Sequence, residues 1–400
     1  MHPLTVYCIK ALAQHCHEFS EPSWLYKTFG YHDLKNWMKI LELYELLGDE
    51  VSRETLKRII RWRIMAGILP EGRVDELFPI ISSADWAELE RRAEQFPAIE
   101  GDSLFDRLET WILKGYEHEQ CQVETGETVF DIGAFTGNTG RYFAEKTGTK
   151  GKVYCFEPHP RFFALLQKNV RDCPQVECVQ AGCAAKDGEA MLIDASTSSV
   201  LSEKGVLPVV IRSVDSFVAE HGISKVDYIK MDIEGLEPES LDGARETIRR
   251  FHPKLAVCVY HKPDHLHSLL EKIRSFGLPY SYHLKHSSRL TTETVLFAQP
   301  QYKDARHAAR ERERERERER AGCQGGRRRS HGCHRRTFAA KSNRCHAVSP
   351  TFRLGMLCPA HQTFSCLYRV AKDIQDVQTA IPQPERIRHD RPHFRRHTLP

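Results

Sequence analysis

The sequence predicts an α/β protein: a mostly parallel sheet with helices on both faces, preceded by a helical N-terminal region and ending in a hairpin. Three observations predict it. Between residues 119 and 299, short apolar β-branched runs alternate with amphipathic helical ones, as strands crossed by helices require. From residue 1 to about 118, apolar residues recur at helical spacing. From residue 303 to 400 neither rhythm continues.

In the helical region, Asp33–Leu47 places Leu34, Trp37, Met38, Leu41, Tyr44 and Leu47 on one stripe. Gly48 reads as its C-terminal cap. Ser52 reads as the cap of a second helix carrying Leu56, Ile59, Ile60 and Ile64. Ser82-Ser83-Ala84-Asp85 matches a capping box ahead of Trp86 and Leu89. No chemistry is legible in this region, which reads as a helical cap on the main domain.

Residues 119–302 carry the main domain. Strands are expected over Thr128–Ile132, Lys152–Phe156, Val176–Gln180, Val209–Ile211, Val226–Met231 and Leu255–Tyr260. Helices are expected over Thr139–Lys146, Pro160–Val170, Glu239–Arg250 and His265–Phe276, with a further one over Val214–Glu220. Tyr280–Leu284 and Thr294–Ala298 flank a polar turn and form a hairpin that adds antiparallel pairing at one edge.

The chain has 400 residues, 40% of them apolar, and no long uninterrupted apolar run, so no membrane span is expected. His15 and His17 interrupt the position where a signal peptide would continue its apolar core. Eight of the thirteen cysteines precede residue 300, with no Cys-x-x-Cys pair among them. Cys155 and Cys258 sit in apolar runs, so we expect core thiols in a reducing, cytoplasmic setting.

The net charge of +4 hides an asymmetry. Residues 301–400 hold 23 Lys and Arg against 10 Asp and Glu, whereas the first 300 hold 35 against 44. An acidic globular part is joined to a basic tail. Glu311–Arg320 repeats Glu-Arg five times, which would make every i,i+4 pair of a helix like-charged. The tail cysteines and histidines lack the tight paired spacing of a zinc site. Residues 303–400 are therefore expected to be a disordered low-complexity tail rather than a nucleic-acid arm.

Chemistry concentrates in three motifs. The first is VFDIGAFTGNTG, Val129–Gly140. An apolar strand enters a glycine-rich turn and a helix follows. Gly133 permits the tight turn, and Gly137 removes a side chain where a ligand would back onto the main chain. The spacing Gly-x-x-x-Gly-x-x-Gly differs from the dinucleotide fingerprint, and no Gly-Lys-Ser/Thr follows to make a P-loop. S-adenosylmethionine has an amino-acid end in place of phosphate, and the acid Asp131 beside the turn suits its ammonium. The second motif places Glu157 after the next strand, 24 residues beyond Gly133, where a carboxylate can accept both ribose hydroxyls of a nucleoside. The third, VDYIKMDIEG, puts Asp232 and Glu234 just past an apolar strand, with Lys230 close enough to pair with either.

VFDIGAFTGNTG, then FEPHP, then VDYIKMDIEG followed by Ser240-Leu241-Asp242-Gly243-Ala244, resemble the FkbM family of S-adenosylmethionine-dependent methyltransferases over about residues 125–299. The resemblance implies the Rossmann-like class I methyltransferase fold, a seven-stranded sheet with one antiparallel strand. It implies that Asp131, Gly133, Ala134, Phe135, Gly137 and Glu157 hold the cofactor, and that Asp232 and Glu234 lie near the reacting methyl group. It further implies O-methylation of a hydroxyl on a sugar, lipid or secondary metabolite, hence a small-molecule or glycan acceptor. A hydroxyl must lose its proton to react, so a base is needed. Asp232 is the first candidate. His261, after the next strand, serves equally well as a base or as a loop hydrogen-bonding residue. One acidic pair does not by itself make a metal site, and no metal is expected. The competing reading is a cofactor-binding module without catalysis.

Overall fold

A computed structural model describes residues 25–66, 74, 77, 79–193, 200, 201, 205–289 and 292–301. These all belong to the compact unit Ile9–Cys333. The expectations for the first twenty residues and for the 303–400 tail lie outside the described residues.

The N-terminal region is helical, as its spacing predicts. It holds α1 (Leu25–Lys35), α2 (Trp37–Leu46), α3 (Glu50–Ala66), α4 (Ser83–Ala93) and α5 (Leu104–Arg107). A π-helical turn, Leu108–Leu113, continues α5. The expected helix Asp33–Leu47 is broken at Asn36, whose side chain donates to the His32 carbonyl at 2.9 Å. The break rotates α2, so Trp37, Ile40 and Leu43 are buried and Met38 is 61% exposed. Ser82 caps α4 by accepting the Asp85 amide at 3.1 Å, as expected.

Two other helix-end expectations change. Asp49, not Ser52, caps α3: its carboxylate accepts the Ser52 amide at 2.7 Å and the Ser52 hydroxyl at 2.6 Å. Gly48 does not terminate α2 in a left-handed conformation. Its amide donates to the Tyr282 carbonyl at 2.8 Å, and a Cβ there would lie 2.9 Å from His283.

The main domain follows in order: β1 (Thr128–Ile132), α6 (Asn138–Thr147), β2 (Lys152–Phe156), α7 (Pro160–Asn169), β3 (Val176–Val179), β4 (Gly182–Cys183), β5 (Gly188–Ile193), β6 (Val200–Leu201), β7 (Leu207–Arg212), α8 (Val214–Glu220), β8 (Tyr228–Met231), α9 (Glu237–Gly243), α10 (Arg245–Phe251), β9 (Lys254–Cys258), α11 (His265–Arg274), β10 (Tyr280–His286) and β11 (Thr294–Pro300). Seven strands form one sheet in the order β10-β11-β9-β8-β1-β2-β3. Pairing is parallel from β9 through β3, and β11 runs antiparallel to both neighbours. The hairpin therefore forms, but its second arm docks on β9 and its first becomes the edge.

The central strands explain the continuous apolar runs. Every residue of β8 and β9 is buried, because helices cover both faces. Lys230 and Lys254 are the exceptions in chemistry, and Lys230 is the deeper, at 1% exposure. A charge so deep must be paired, and the sheet register puts Asp131 of β1 directly beside it.

Residues 182–212 hold what the sequence did not reveal, a second sheet in the order β4-β7-β5-β6. The expected strand at 209–211 belongs there, not to the main sheet. Its β5 buries only Leu192, too weak an alternation to read as a strand.

Asp49, His118 and His283 meet where the helical region lies against β10. Asp49 Oδ2 stands 2.6 Å from His283 Nδ1 and 3.7 Å from His118 Nε2. The imidazoles stack with centroids 4.6 Å apart. The Gln120 amide donates to His118 Nδ1 at 3.2 Å, so neutral His118 keeps its proton on Nε2, facing the carboxylate. The trio is a hydrogen-bonded clasp, and Ser52 adds to it by accepting the Leu284 amide at 2.9 Å.

Candidate active site

The carboxyl ends of β1, β2 and β8 open into a cleft of about 490 Å³, within the rough range of 300–1,000 Å³ for small-molecule sites. Open parallel sheets bind ligands at this edge. Among the described residues, three of the five non-glycine residues with positive φ line it: Phe135 (48°), Glu234 (55°) and Glu293 (60°). Such backbone costs energy and persists where the surroundings over-determine it, often at functional sites.

At the β1 turn, Gly133 has φ 86°, and a Cβ there would sit 1.9 Å from the Asp232 carbonyl. Only glycine lets the ends of β1 and β8 come so close. Gly133, Ala134 and Phe135 line the cleft. Gly137 does not. It has φ 102°, and its missing side chain faces Leu166 and Val170 of α7 at 3.0 and 3.2 Å. Its role is helix entry and packing against α7 rather than approach to a ligand.

Asp131 is also displaced from its expected role. It is fully buried under the turn, accepting the Thr139 hydroxyl at 2.6 Å and facing Lys230 Nζ at 3.2 Å. Lys230 also donates to the Gly133 carbonyl at 2.6 Å. The lysine thus pairs across the sheet with Asp131 instead of with Asp232 or Glu234, and the pair braces the turn from below.

Glu157 lines the cleft past β2, where sequence spacing put it. Its two oxygens accept the amides of Phe135 at 3.0 Å and His159 at 2.8 Å. Burial pushes its pKa up to about 7, against those two hydrogen bonds. Thr136 also faces the cleft, and its buried hydroxyl has no hydrogen-bond partner. An acid beyond β2 and an unmatched hydroxyl at the glycine turn fit a nucleoside with a polar amino-acid end.

Asp232 and Glu234 both line the cleft, but their environments differ. Asp232 accepts from Tyr116 at 2.7 Å and Tyr260 at 3.2 Å, and stands 3.3 Å from His261 Nε2. Burial would raise its pKa, but His261 and Lys230 outweigh that and hold it ionised. Glu234 goes the other way. Burial, helped by Asp232 and Glu237, pushes it up to about 7 against the pull of His261.

His261 is not on the cleft wall. It lies behind Asp232, with Nδ1 2.8 Å from Glu237 Oε1. Burial disfavours its charge, yet hydrogen bonds to Asp232 and Glu237 raise its pKa well above the usual imidazole range. Held as imidazolium, it donates through Nδ1 to Glu237, faces Asp232 through Nε2 as an ion pair, and has no free lone pair to act as a base.

Several residues of the cleft and its support were not legible in sequence. Glu237 opens α9 and reads as an ordinary first-turn acid. Glu109 and Thr110 come from the π-helical turn, and Tyr116 from the segment after it. A π-turn inside a helix often marks a functional site, but apolar periodicity does not reveal one. The helical region therefore walls the cleft as well as capping the domain.

A twisted parallel sheet with one antiparallel strand and a cofactor-sized cleft at its carboxyl edge defines the class I methyltransferase architecture. Residues 131–282 match the family model described as Methyltransferase FkbM domain. Through that segment the chain is similar to the FkbM methyltransferases. It is 27% identical over 144 residues to 2-O-methyltransferase NoeI of Sinorhizobium fredii, covering 30% of this chain and 59% of that protein. It is 26% identical over 184 residues to hexuronic acid methyltransferase AglP of Haloferax volcanii, covering 41% of this chain and 75% of that one. A crystal structure of methyltransferase FkbM from Methylobacillus flagellatus aligns with TM-score 0.48 at 19% identity, over 68% of this chain and 60% of that one. The chain thus spans about three fifths of the length of NoeI.

Proposed function

We propose that the chain is an S-adenosylmethionine-dependent O-methyltransferase acting on a hydroxyl of a sugar or related small molecule. The observation that carries this reading is the pairing, in one cleft, of a nucleoside-type acid with a second acid of near-neutral pKa. Glu157 would accept the ribose hydroxyls, while Gly133, Ala134 and Phe135 supply the backbone wall and Thr136 a polar contact. The cofactor supplies an activated methyl group and its own leaving group. The protein must then align the acceptor and take its proton.

Glu234 is the base. Its pKa lies near 7, where a general base works best. Asp232 is already saturated by two tyrosines and the imidazolium, and it positions rather than deprotonates. His261 and Glu237 hold Asp232 in place. NoeI and AglP are named for methyl transfer to a 2-hydroxyl and to a hexuronic acid, which supports a sugar-like acceptor. Among the described residues no helix is long and apolar enough to cross a membrane. Among the described residues, Cys155, Cys173, Cys178, Cys183 and Cys258 are free thiols, consistent with a cytoplasmic, reducing setting.

Thermal shifts with S-adenosylmethionine and with NAD, followed by labelled-methyl transfer over sugars, lipids and phenols, test the reading. S-adenosylmethionine should raise the Tm by mass action and NAD should not. A shift by NAD alone would overturn it. Binding without transfer to any acceptor would favour the non-catalytic module.

A further inference from the structure

We infer that the acceptor carries an ammonium group beside the hydroxyl that is methylated, as an amino sugar or related amino alcohol does. The inference rests on the methyl-transfer reading above. The sheet order separates two ends of the cleft. The glycine turn and Glu157 stand at β1 and β2. Beyond Asp232 at the end of β8, Tyr260 follows β9 and Glu293 precedes β11, next in the sheet. Glu109 approaches this same end from the π-turn, its Oε2 accepting from Tyr116 at 3.3 Å.

This far end is acidic beyond what the cofactor needs. Glu109 is 6% exposed, and its Oε1 is buried with no hydrogen-bond partner. Burial and the facing Glu293 carboxyl both push it toward the neutral form. Neither Glu109 nor Glu293 has an ion-pair partner among the described residues, since Lys230 is committed to Asp131 and His261 to Asp232 and Glu237. A buried carboxyl held neutral for want of a cation ionises when an opposite charge comes within reach, so a bound ammonium would let this pair take up charge that burial otherwise denies it. An acidic sugar would add like charge to the cluster. A divalent ion suits the site less well. Among the described residues, no three of the cleft's acidic or imidazole groups bring ligand atoms within 4.8 Å of one another, whereas hard cations need several converging oxygens.

The test uses the full chain saturated with S-adenosylhomocysteine. Calorimetric titration compares a glucosamine disaccharide, its N-acetylated form and the matched uronic acid disaccharide. The amine should bind about tenfold or more tightly than either. A Glu109→Gln/Glu293→Gln double variant should lose that preference while keeping its affinity for S-adenosylhomocysteine. With S-adenosylmethionine, the methyl group should appear on oxygen. Equal or tighter binding of the uronic acid or N-acetyl form, no binding of any of the three, a preference that survives the double variant, an N-methyl product, or displacement of the amine by excess Mg²⁺ would each overturn the inference. Failure of S-adenosylhomocysteine itself to bind would instead sink the methyl-transfer reading beneath it.

Discussion

Glu234 and Asp232 are two residues apart in sequence and opposite in electrostatic character. Sequence alone put both near the reacting methyl group, just past β8, with Asp232 as the first candidate base. Three donors around Asp232 and none so committed to Glu234 separate their roles. This makes Glu234→Gln a cleaner probe than removal of Asp232, which would leave Tyr116, Tyr260 and His261 unmatched. Glu234→Gln should lower kcat roughly 10²–10⁴-fold with S-adenosylhomocysteine affinity retained. A base works deprotonated, so wild-type kcat should rise with pH through about 7. The variant should lose that rising limb in a pH series of labelled-methyl transfer, and an unchanged limb would assign the base elsewhere. Asp131 carries a related lesson. Its place at a strand end was visible, but its partners, Lys230 and Thr139, come from the register of β1 on β8 and the turn into α6.

At the scale of elements, the contact between the helical region and β10 depends on the Asp49–His118–His283 clasp. An edge strand needs cover, and Gly48, Asp49 and Ser52 supply it. Burial would raise the Asp49 pKa, but hydrogen bonds from His283 and Ser52 hold it down at about 2. Burial and neighbouring His283 push His118 down to about 4. The signs agree. The unfolded chain takes up His118's proton first, near 6.5, so stability falls as pH drops from there toward 4. A depressed Asp49 contributes stability that is lost as pH falls further, from about 3.8 toward 2. Urea midpoints measured from pH 7 to 4 should fall, and His118→Gln should flatten that fall. Asp49→Asn should cost roughly 1–3 kcal/mol at pH 7. A pH profile unaltered in the His118 variant would mean that other groups govern the acid loss.

At the scale of the whole molecule, the described core residues run from Phe29 to Ala298 and the cleft lining from Gly101 to Glu293. A chain ending at residue 302 should therefore keep the S-adenosylmethionine thermal shift and the transfer rate of the full chain. A large loss of either would give residues 303–400 a role that their sequence does not show. Most of the parallel sheet was legible because buried strands read as apolar runs, as Leu255–Cys258 of β9 does, and Glu157 was legible because its distance from Gly133 is set by one helix and one strand. The second sheet was not, because β5 buries a single side chain. By itself, the sequence determined the α/β alternation, the glycine turn and the acids at the strand ends, since local spacing and backbone conformation suffice for these. Only the tertiary structure decided which acid is ionised, which cations are already spent, and that Glu109 and Tyr116 of the helical region complete the cleft, because burial and pairing arise between separate segments, from 24 residues apart for His261 and Glu237 to 116 for Tyr116 and Asp232.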